Sequence, residues 1–566
     1  MGRVTNPILK GFNPDPSIVR VNDDYYIATS TFEWFPGVQI HHSRDLIHWQ
    51  VITHPLSRTS QLDLRGTPDS CGVWAPSLSY HDGLYYLIYT DVKSQPIMGG
   101  GLQQIMHNYL VTAPDITGPW SEPVKLFSGG YDPDLYIEDE RFYIVYAGFD
   151  YRRALTLHNR KSSFREAWNI IRRDGKRGLD PFSGIFLQEF NPDTWTPIGS
   201  RQLLFAGTGR TVPEGPHIKK HAGYYYLLIA EGGTTYNHCT SLLRSKNLTG
   251  PYELDPENPL MSSTTHPDHP IQKAGHADWV TTPDGEWYLV HLMSRPVKKK
   301  YSLLGRETAL QKVIWQDGWL RLAHGSSQPA AEVSVPDIPR QPWPALPEHD
   351  DFDSPQLGIQ YQTLRMPLDN KTLSLTDRPG HLRLYGAEGV NSLFHQAFVA
   401  RRITSVTFDA TTKVEFEPAD YDQAAGLTVW YDRGNFYYLR VTHNEQHGKV
   451  LDILSADDEL FKMPLTVPIS LPSGAVYLKA TLDQLSLQFF FSLDGIHWQI
   501  VGTTLNAAIL CDEHHYPFAS RLKSRLTKPL GAMMVGFTGT FVGLCCQDIQ
   551  GRRPIADFDF LSYRDL

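Results

Sequence analysis

The chain has 566 residues, of which 41% are hydrophobic and 20% are charged, and its formal net charge is −9. This length is too great for one hydrophobic core and suits two sizeable domains. Apart from the short Lys298–Lys300 there is no run of Lys and Arg. We therefore expect neither a nucleic acid nor an anionic membrane as a partner, because both require a clustered basic surface.

Cysteine usage and hydropathy favour a cytoplasmic localisation. Five Cys in so long a chain do not make a disulfide framework. The first ten residues lack the apolar stretch of a secretory signal, and no run of about 18 apolar residues occurs that could span a membrane. We expect a cytoplasmic protein that acts on a small, imported substrate.

A strand signature recurs five times in the first half of the chain. Each copy carries a Tyr directly after another aromatic residue and follows a turn signal. The copies start roughly 60 residues apart, except for a longer third interval that contains the insertion Tyr151–Arg177. Even spacing of this kind predicts a five-bladed β-propeller rather than an ordinary sandwich. The five marker residues are Tyr26, Tyr86, Tyr143, Tyr226 and Tyr288.

A second apolar strand begins eleven or twelve residues before each marker. The first strand of every propeller blade lines the central axis, so equivalent positions on five blades meet at one end of the channel. Taking the first residue of each segment as equivalent, we expect a cluster with the composition of an active site. Its members are Asp15, Trp74, Asp132, Glu214 and His276.

Three carboxylic acids in one cluster can cleave a glycosidic bond. One must protonate the leaving oxygen, and a second must activate water or attack directly. Carboxylates from opposite blades stand far enough apart to admit a water, which is the inverting arrangement. Burial and the neighbouring Asp15 and Asp132 would keep Glu214 neutral, so we predict Glu214 as general acid, Asp15 as general base and Asp132 as the residue that keeps Glu214 protonated.

Each member of the cluster also has a structural interpretation. An Asp before Pro is usually a turn former, and Trp74 is by default a core residue. His276 is either a channel histidine satisfied by hydrogen bonds or one ligand of a divalent cation such as Ca²⁺, with waters or other oxygens completing the shell. The chemistry requires no cofactor.

An ordered set of short motifs, listed at the end of this paragraph, resembles glycoside hydrolase family 43 and in particular its β-xylosidases. The resemblance runs from about residue 6 to the C-terminus. The resemblance implies the same three roles for Asp15, Glu214 and Asp132. It also places Phe32 and Trp74 in a sugar pocket and makes Arg306 a substrate-binding residue rather than a surface partner of Glu307. One departure is Asp134, where the family has Ser or a small residue. The motifs are Asn13–Ser17, Gly72–Pro76, Tyr89–Lys93, Glu214–His217, Ala230–His238, Ala274–Ala277 and Leu304–Thr308.

The second half of the chain predicts a separate all-β domain. A Pro-rich linker, 326–350, follows the propeller domain, 1–325, and precedes short alternating strands over 351–566. These strands predict a concanavalin-like antiparallel β-sandwich of the jelly-roll type. The resemblance implies that this domain packs on the propeller and lends one aromatic to the pocket, best matched by Phe541, whose alternative is the sandwich core. A pocket closed at one end would bind a terminal sugar.

We therefore expect an inverting exo-glycosidase that releases xylose from the non-reducing end of β-1,4-xylo-oligosaccharides in xylan degradation. The alternatives are an α-L-arabinofuranosidase, or dual activity, and, in a different class, a non-catalytic sugar-binding propeller. Analogy with the family makes a homo-oligomer one candidate, and the sequence leaves the oligomeric state open. The sequence leaves open whether the insertion Tyr151–Arg177 shapes a leaving-group subsite or an oligomer contact.

Overall fold

The computed structural model describes residues 2–97, 101–149, 182–210, 212–336, 338–367, 369, 371–514 and 536–566. The insertion Tyr151–Arg177 lies outside the described residues. No helix within these ranges is long and apolar enough to cross a membrane.

Five antiparallel sheets form the first domain and confirm the five-bladed propeller. After β1 (Gly2–Thr5), blade 1 contains β2 (Ser17–Val21), β3 (Asp24–Thr29), β5 (Gln39–Ser43) and β6 (Gln50–Thr53), while β4 (Trp34–Phe35) leaves the blade. Blade 2 contains β7 (Gly72–His81), β8 (Leu84–Ile97), β9 (Gly101–Ala113) and β10 (Val124–Ser128). Blade 3 contains β11 (Gly130–Glu138), β12 (Arg141–Phe149), β13 (Phe182–Phe190) and β14 (Pro197–Phe205).

Blade 4 contains β15 (Glu214–His221), β16 (Tyr224–Glu231), β17 (Cys239–Ser245) and β18 (Glu253–Leu254), with β19 (Met261–Ser262) also paired to β17. Blade 5 contains β20 (Gln272–Thr281), β21 (Trp287–Ser294), β22 (Glu307–Gln316) and β23 (Trp319–Leu322). All five marker tyrosines lie in the second strand of their blade, as the repeat predicts.

The propeller is held together by one apolar core between each pair of neighbouring blades. Each blade therefore buries both of its faces against its neighbours, which explains the near-continuous apolar runs around the markers. Among the described residues no strand is shared between blades 5 and 1; apolar packing and a backbone bridge between Leu9 and Thr308 of β22 close the ring there. Strand β24 (Glu332–Val335), within the predicted linker, pairs with β1 and adds Val333 and Val335 to this closing core.

The second domain is a sandwich of two antiparallel sheets and confirms that prediction. Its eight-stranded sheet contains β25 (His349–Asp350), β27 (Leu373–Ser374), β28 (Leu382–Tyr385), β30 (Thr407–Glu415), β36 (Ala475–Asp483), β37 (Ser486–Ser492), β38 (Gln499–Asn506) and β40 (Ile555–Asp565). The other sheet contains β26 (Gln362–Leu364), β29 (Ala397–Arg402), β31 (Gln423–Asp432), β32 (Asn435–Asn444), β33 (Gly448–Asp457), β34 (Leu460–Lys462), β35 (Ile469–Ser470) and β39 (Phe541–Asp548). A short 3₁₀ helix spans Ala507–Ile509.

The two domains are joined by a shared sheet and a shared core. Strand β4 of the propeller pairs with β26 and extends the second sandwich sheet. An aromatic cluster then joins Phe12, Phe32 and Trp34 of the propeller to residues of the sandwich, including Phe541. This contact places one face of the sandwich beside the first two blades' loops.

Candidate active site

An extra residue interrupts the pairing near the start of the innermost strand in blades 2 to 5. In blade 2, for example, Trp74 pairs with Thr90 and Ser77 with Ile88, so the two residues between them on β7 face one residue on β8. The same step occurs in the other three blades, and blade 1 begins its pairing just after it. Such a bulge re-aims the side chains around it. The bulged residue has a positive φ in every blade: Asp15, Ala75, Asp132, Gly215 and His276.

These positions show that the sequence-based equivalence is wrong by one residue in blades 2 and 4. The residues equivalent to Asp15 and Asp132 are Ala75 and Gly215, whereas Trp74 and Glu214 come one position earlier. Their true counterpart in blade 3 is Tyr131, which the sequence argument missed. We call Trp74, Tyr131 and Glu214 the first tier, and Asp15, Asp132 and His276 the second tier.

The Asp15 carboxylate is held on both oxygens. Its Oδ1 accepts a 2.6 Å hydrogen bond from the Arg306 guanidinium, and its Oδ2 accepts a 2.7 Å bond from the Ser30 hydroxyl. Arg306 is 2% exposed and does not pair with Glu307, which is bound instead by Arg295. The alternative interpretation of Arg306 as a surface ion pair is therefore excluded.

Glu214 and Asp132 share a region where a negative charge is disfavoured. Burial, followed by the charge of Asp15, raises the pKa of Glu214 to about 8. Burial and the charges of Glu214 and Asp15 raise the pKa of Asp132 well above its ordinary value. The Tyr131 hydroxyl lies 3.4 Å from Glu214 Oε2, and the Gly215 amide donates to Asp132 Oδ2 at 3.0 Å. Two buried carboxyls beside a third cannot both ionise readily, so this pair retains a proton at neutral pH.

A third tier lies two residues after each bulged residue, and its polar contacts link all five blades. Its members are Ser17, Ser77, Asp134, His217 and Asp278. The Asp278 carboxylate accepts from the Ser17 hydroxyl at 3.2 Å and lies 3.7 Å from His217 Nδ1. His217 also lies 3.3 Å from Asp134, which accepts from the Ser77 hydroxyl at 2.6 Å. Burial alone would lower the pKa of His217, but Asp278 and Asp134 outweigh it and raise it to about 9. The negative charge at Asp134, where the family has Ser or a small residue, is thus balanced by the imidazolium of His217.

His276 lies at the axis, and no compact group of metal-binding side chains among the described residues includes it. Its Nδ1 is 3.7 Å from Asp15 Oδ1, and burial lowers its pKa to about 4, so the imidazole is neutral. Within the described part of the chain, a compact group of three potential ligands occurs in the sandwich and does not include His276. A neutral imidazole nitrogen beside oxygen-rich walls still fits a hydrated cation, because waters can fill the remaining positions. The small axial cavity at His276 is lined by Asp15, Ser17, Ser77, Asp132 and His217.

Aromatic side chains from both domains surround the carboxyl groups. Trp74 is partly exposed and contacts Phe32, Tyr131 and Phe537, with ring centroids 5.9, 6.3 and 5.7 Å away. Phe32 is only 2% exposed, and the Arg306 guanidinium lies over its ring, with the guanidinium carbon 5.3 Å from the ring centroid. Aromatic faces of this kind suit the C–H faces of a sugar ring.

The prediction that Phe541 faces the sugar is wrong. Phe541 has no exposed surface and stacks on Trp34 with ring centroids 3.9 Å apart, because it opens β39 in the shared interdomain core. The sandwich aromatic at the pocket is Phe537, four residues earlier, which contacts Trp74 and whose carbonyl accepts from Arg306 at 2.9 Å.

The site therefore holds two kinds of carboxyl group in one pocket. One is ion-paired with a guanidinium, and the others are buried where protonation is favoured. Two titratable groups whose environments differ in this way can act as base and acid at the same pH. Aromatic walls and a buried arginine provide apolar and hydrogen-bonding surfaces for a carbohydrate.

A five-bladed propeller with this set of carboxyl groups defines a glycoside-cleaving enzyme, and the comparisons with known proteins give the family. Residues 4–320 match the family described as "Glycosyl hydrolases family 43". Residues 349–564 match "Beta xylosidase C-terminal Concanavalin A-like domain". The chain belongs to glycosyl hydrolase family 43, which excludes the non-catalytic propeller as its class.

Relatives resemble the chain along its whole length. A β-xylosidase of Bacillus subtilis (strain 168) is 42% identical over 576 residues, covering 100% of both chains. A xylosidase/arabinosidase 43B of Humicola insolens is 41% identical over 587 residues, covering 100% of this chain and 98% of the relative. The crystal structure of a xylan β-1,4-xylosidase from Bacillus halodurans C-125 superposes with a TM-score of 0.88 at 46% identity, covering 99% of this chain and 100% of the other.

Proposed function

We propose that the protein is an inverting, exo-acting β-xylosidase that releases xylose from the non-reducing end of β-1,4-xylo-oligosaccharides. The observation that carries the proposal is the contrast between an ion-paired Asp15 and a Glu214 whose pKa is raised to about 8. Full-length similarity to proteins named β-xylosidase supports the substrate class.

Asp15 is the general base in this proposal. Its two oxygens are oriented by Arg306 and Ser30, and the Ser30 hydroxyl is itself fixed by the Ala75 amide at 2.7 Å. A carboxylate oriented by two donors can take a proton from a water as that water attacks the anomeric carbon. Inversion follows because the base activates water and does not itself bond to the sugar.

Glu214 is the general acid. It must carry a proton at the operating pH to donate it to the leaving oxygen, and its raised pKa provides this. Asp132 reaches the residue that follows the acid through the Gly215 amide, and like charge between Asp132 and Glu214 opposes ionisation of both carboxyls, so the pair retains a proton. We assign Asp132 the roles of orienting Glu214 and keeping it protonated.

The pocket side chains bind the terminal sugar. Trp74 and Phe537 provide apolar walls, with Phe32 packed behind Trp74. Arg306 orients Asp15 beside these walls, and its buried Nε has no hydrogen-bond partner among the described residues. Because Phe537 comes from the sandwich, the second domain bounds the pocket on one side, which supports cleavage at chain ends.

α-L-Arabinofuranosidase activity is the second candidate. A full-length relative at 41% identity is named a xylosidase/arabinosidase, and the two pentoses present similar hydroxyl groups. The ratio of kcat/KM for 4-nitrophenyl β-D-xyloside and α-L-arabinofuranoside measures which activity dominates.

The divalent cation beside His276 stays a prediction. The neutral imidazole of His276 would supply one ligand, and Ca²⁺ so held would contribute a positive charge near Asp15. Metal content of the purified protein, and a thermal shift on adding Ca²⁺ to the wild type but not to His276→Ala, test it. Oligomeric state, also a prediction, is measured by sedimentation velocity.

The first experiment is to follow xylobiose hydrolysis by proton NMR from the first seconds. We expect α-xylose to appear first from the non-reducing sugar, which is the stereochemical result of inversion. First appearance of β-xylose would contradict the role given to Asp15. Survival of xylobiose together with cleavage of arabinofuranosides would make the second candidate the function.

A further inference from the structure

Ser70 connects the two aromatic walls of the pocket, Trp74 and Phe537. None of its described hydrogen bonds is to Asp15, Asp132 or Glu214. Ser70 lies just before β7, is 1% exposed, and has a φ of +61°. Non-glycine residues rarely adopt this left-handed conformation. Such a residue persists where the surrounding contacts over-determine it, which makes those contacts informative.

All three polar groups of Ser70 make hydrogen bonds. The Ser70 hydroxyl oxygen accepts from the backbone amides of Gly536 and Phe537 at 3.4 and 3.1 Å. The Ser70 carbonyl accepts from Trp74 Nε1 at 3.0 Å. One residue of the propeller thus fixes the sandwich segment that carries Phe537 and also the indole that Phe537 contacts.

The connection reaches the proposed base through a second path. The Phe537 carbonyl accepts from Arg306, whose other terminal nitrogen binds Asp15. Asp15 is also held directly by Ser30, so we expect a small shift of the Phe537 backbone to move the aromatic wall and to leave the base in place.

Ser70 is itself anchored by buried charged groups from both domains. Its amide donates to Glu33 Oε2 at 3.1 Å. The preceding residue, Asp69, is bound by Arg365 at 2.5 Å and by Arg433 at 2.9 Å, both of which belong to the sandwich. Arg365 is also bonded to the Thr67 carbonyl. The loop is therefore held on the sandwich at several points, so Ser70 can act as a rigid support.

We infer that Ser70 is a positioning residue for the sugar pocket: its hydroxyl sets the place of Phe537, and its carbonyl sets the rotation of Trp74, so that the two domains form one binding surface. The inference rests on the proposed function of this pocket. It predicts that the Ser70 hydroxyl influences substrate affinity, while the acid–base groups keep their environment.

The test compares Ser70→Ala and Ser70→Gly with the wild-type full-length enzyme on xylobiose. Both variants lose the acceptor for the two amides and keep the backbone bonds to Glu33 and Trp74. We expect kcat/KM to fall about tenfold, mainly through KM, which corresponds to about one hydrogen bond. The shape of the pH profile should not change. Glycine suits the positive φ, so Ser70→Gly should melt at a higher temperature than Ser70→Ala while both show the same rise in KM, which separates positioning from stability.

Ser492 offers a matched control. It is fully buried in the sandwich, and its hydroxyl oxygen also accepts from two backbone amides, Asp494 and Gly495, at 3.3 and 2.9 Å. Ser492→Ala removes the same kind of contact without any link to the pocket. It should leave KM unchanged even where it lowers the melting temperature.

A double-mutant cycle shows whether Ser70 acts through Phe537. In a Phe537→Ala background the ring to be positioned is absent, so adding Ser70→Ala should change kcat/KM by less than twofold. Fully additive losses, a kcat/KM of Ser70→Ala and Ser70→Gly within twofold of wild type, or an equal rise of KM in Ser492→Ala would each overturn the inference. A wild type that cleaves no pentoside would instead refute the proposed function.

Discussion

The pKa of Glu214 predicts where activity is lost at high pH. At its raised value of about 8, compared with an ordinary 4.5, Glu214 is protonated in about 90% of molecules at pH 7 instead of about 0.3%. The environment therefore increases the population of the acid about 300-fold. Because a general acid must be protonated before the reaction, kcat/KM on xylobiose should stay level up to neutral pH and fall tenfold per unit above about pH 8.

The assay is the pH profile of kcat/KM on two substrates. Glu214→Ala should lower xylobiose turnover by about 10²–10⁴-fold. On 4-nitrophenyl β-D-xyloside, whose leaving group departs without a proton, the variant should retain more activity and lose the alkaline fall. Glu33 is a matched control, because burial also raises its pKa to about 8 and it lies beside the pocket. Glu33→Gln should keep the alkaline fall.

Two results would refute this assignment. An alkaline fall that persists in Glu214→Ala on the aryl xyloside would mean that another group carries it. An alkaline fall that disappears in Glu33→Gln would give the titration to Glu33, and Glu214 would lose its role as the group that limits activity at high pH.

Three further predictions concern stability and packing. The native pKa of Glu214 exceeds the unfolded value, so the wild type loses stability as pH rises from 4.5 through 8, and the gain in melting temperature of Glu214→Gln should grow from pH 5 to pH 9. Phe541→Ala should lower the free energy of unfolding by about 3–5 kcal/mol, whereas Phe537→Ala should mainly raise KM on xylobiose; equal unfolding losses in denaturant titrations would contradict the assignment of Phe541 to the core. The pKa of His217 is raised to about 9 from 6.5, so the destabilisation by Asp134→Ser in thermal melts should be largest below pH 6.5 and shrink as pH passes 9; a pH-independent loss would contradict the ion pair.

The architecture could be predicted because its signals are local and repeated. Each marker, such as Tyr86 or Tyr226, lies in a strand that must be apolar on both faces and follows a turn that needs particular residues. Five repetitions of one local pattern define a propeller without any knowledge of long-range contacts. The sandwich strands show the simpler alternation of buried and partly buried residues, as in β30 and β36.

The site could be predicted only in part, because its register depends on a bulge. Matching the repeats on the first residue of each segment makes Trp74 and Glu214 equivalent to Asp15. A proline is the better reference: Pro16, Pro76 and Pro216 each follow the bulged residue, and matching on them gives Ala75 and Gly215. The register is therefore present in the sequence, in the proline and not in the first residue of the segment.

The aromatic from the sandwich could not be chosen from the sequence. Phe537 and Phe541 stand four residues apart in one glycine-rich segment. What separates them is tertiary: Phe541 stacks on Trp34 of the other domain, and Phe537 is held by Ser70 and Arg306. Contacts between residues hundreds of positions apart leave no pattern in a single sequence.

The bulge also explains how similar blades provide carboxyl groups with different properties. The positive φ at the second tier turns Asp15 toward Arg306, whose guanidinium donates to Asp15 Oδ1 at 2.6 Å. Glu214 precedes the bulge, so it shares the first tier with Tyr131, where burial and the charge of Asp15 favour protonation. A shift of one residue along the same backbone feature therefore gives the proposed base and the proposed acid different neighbours. The tier alone does not set the charge, because Asp132 occupies the same tier as Asp15, and burial with the charges of Glu214 and Asp15 raises the pKa of Asp132.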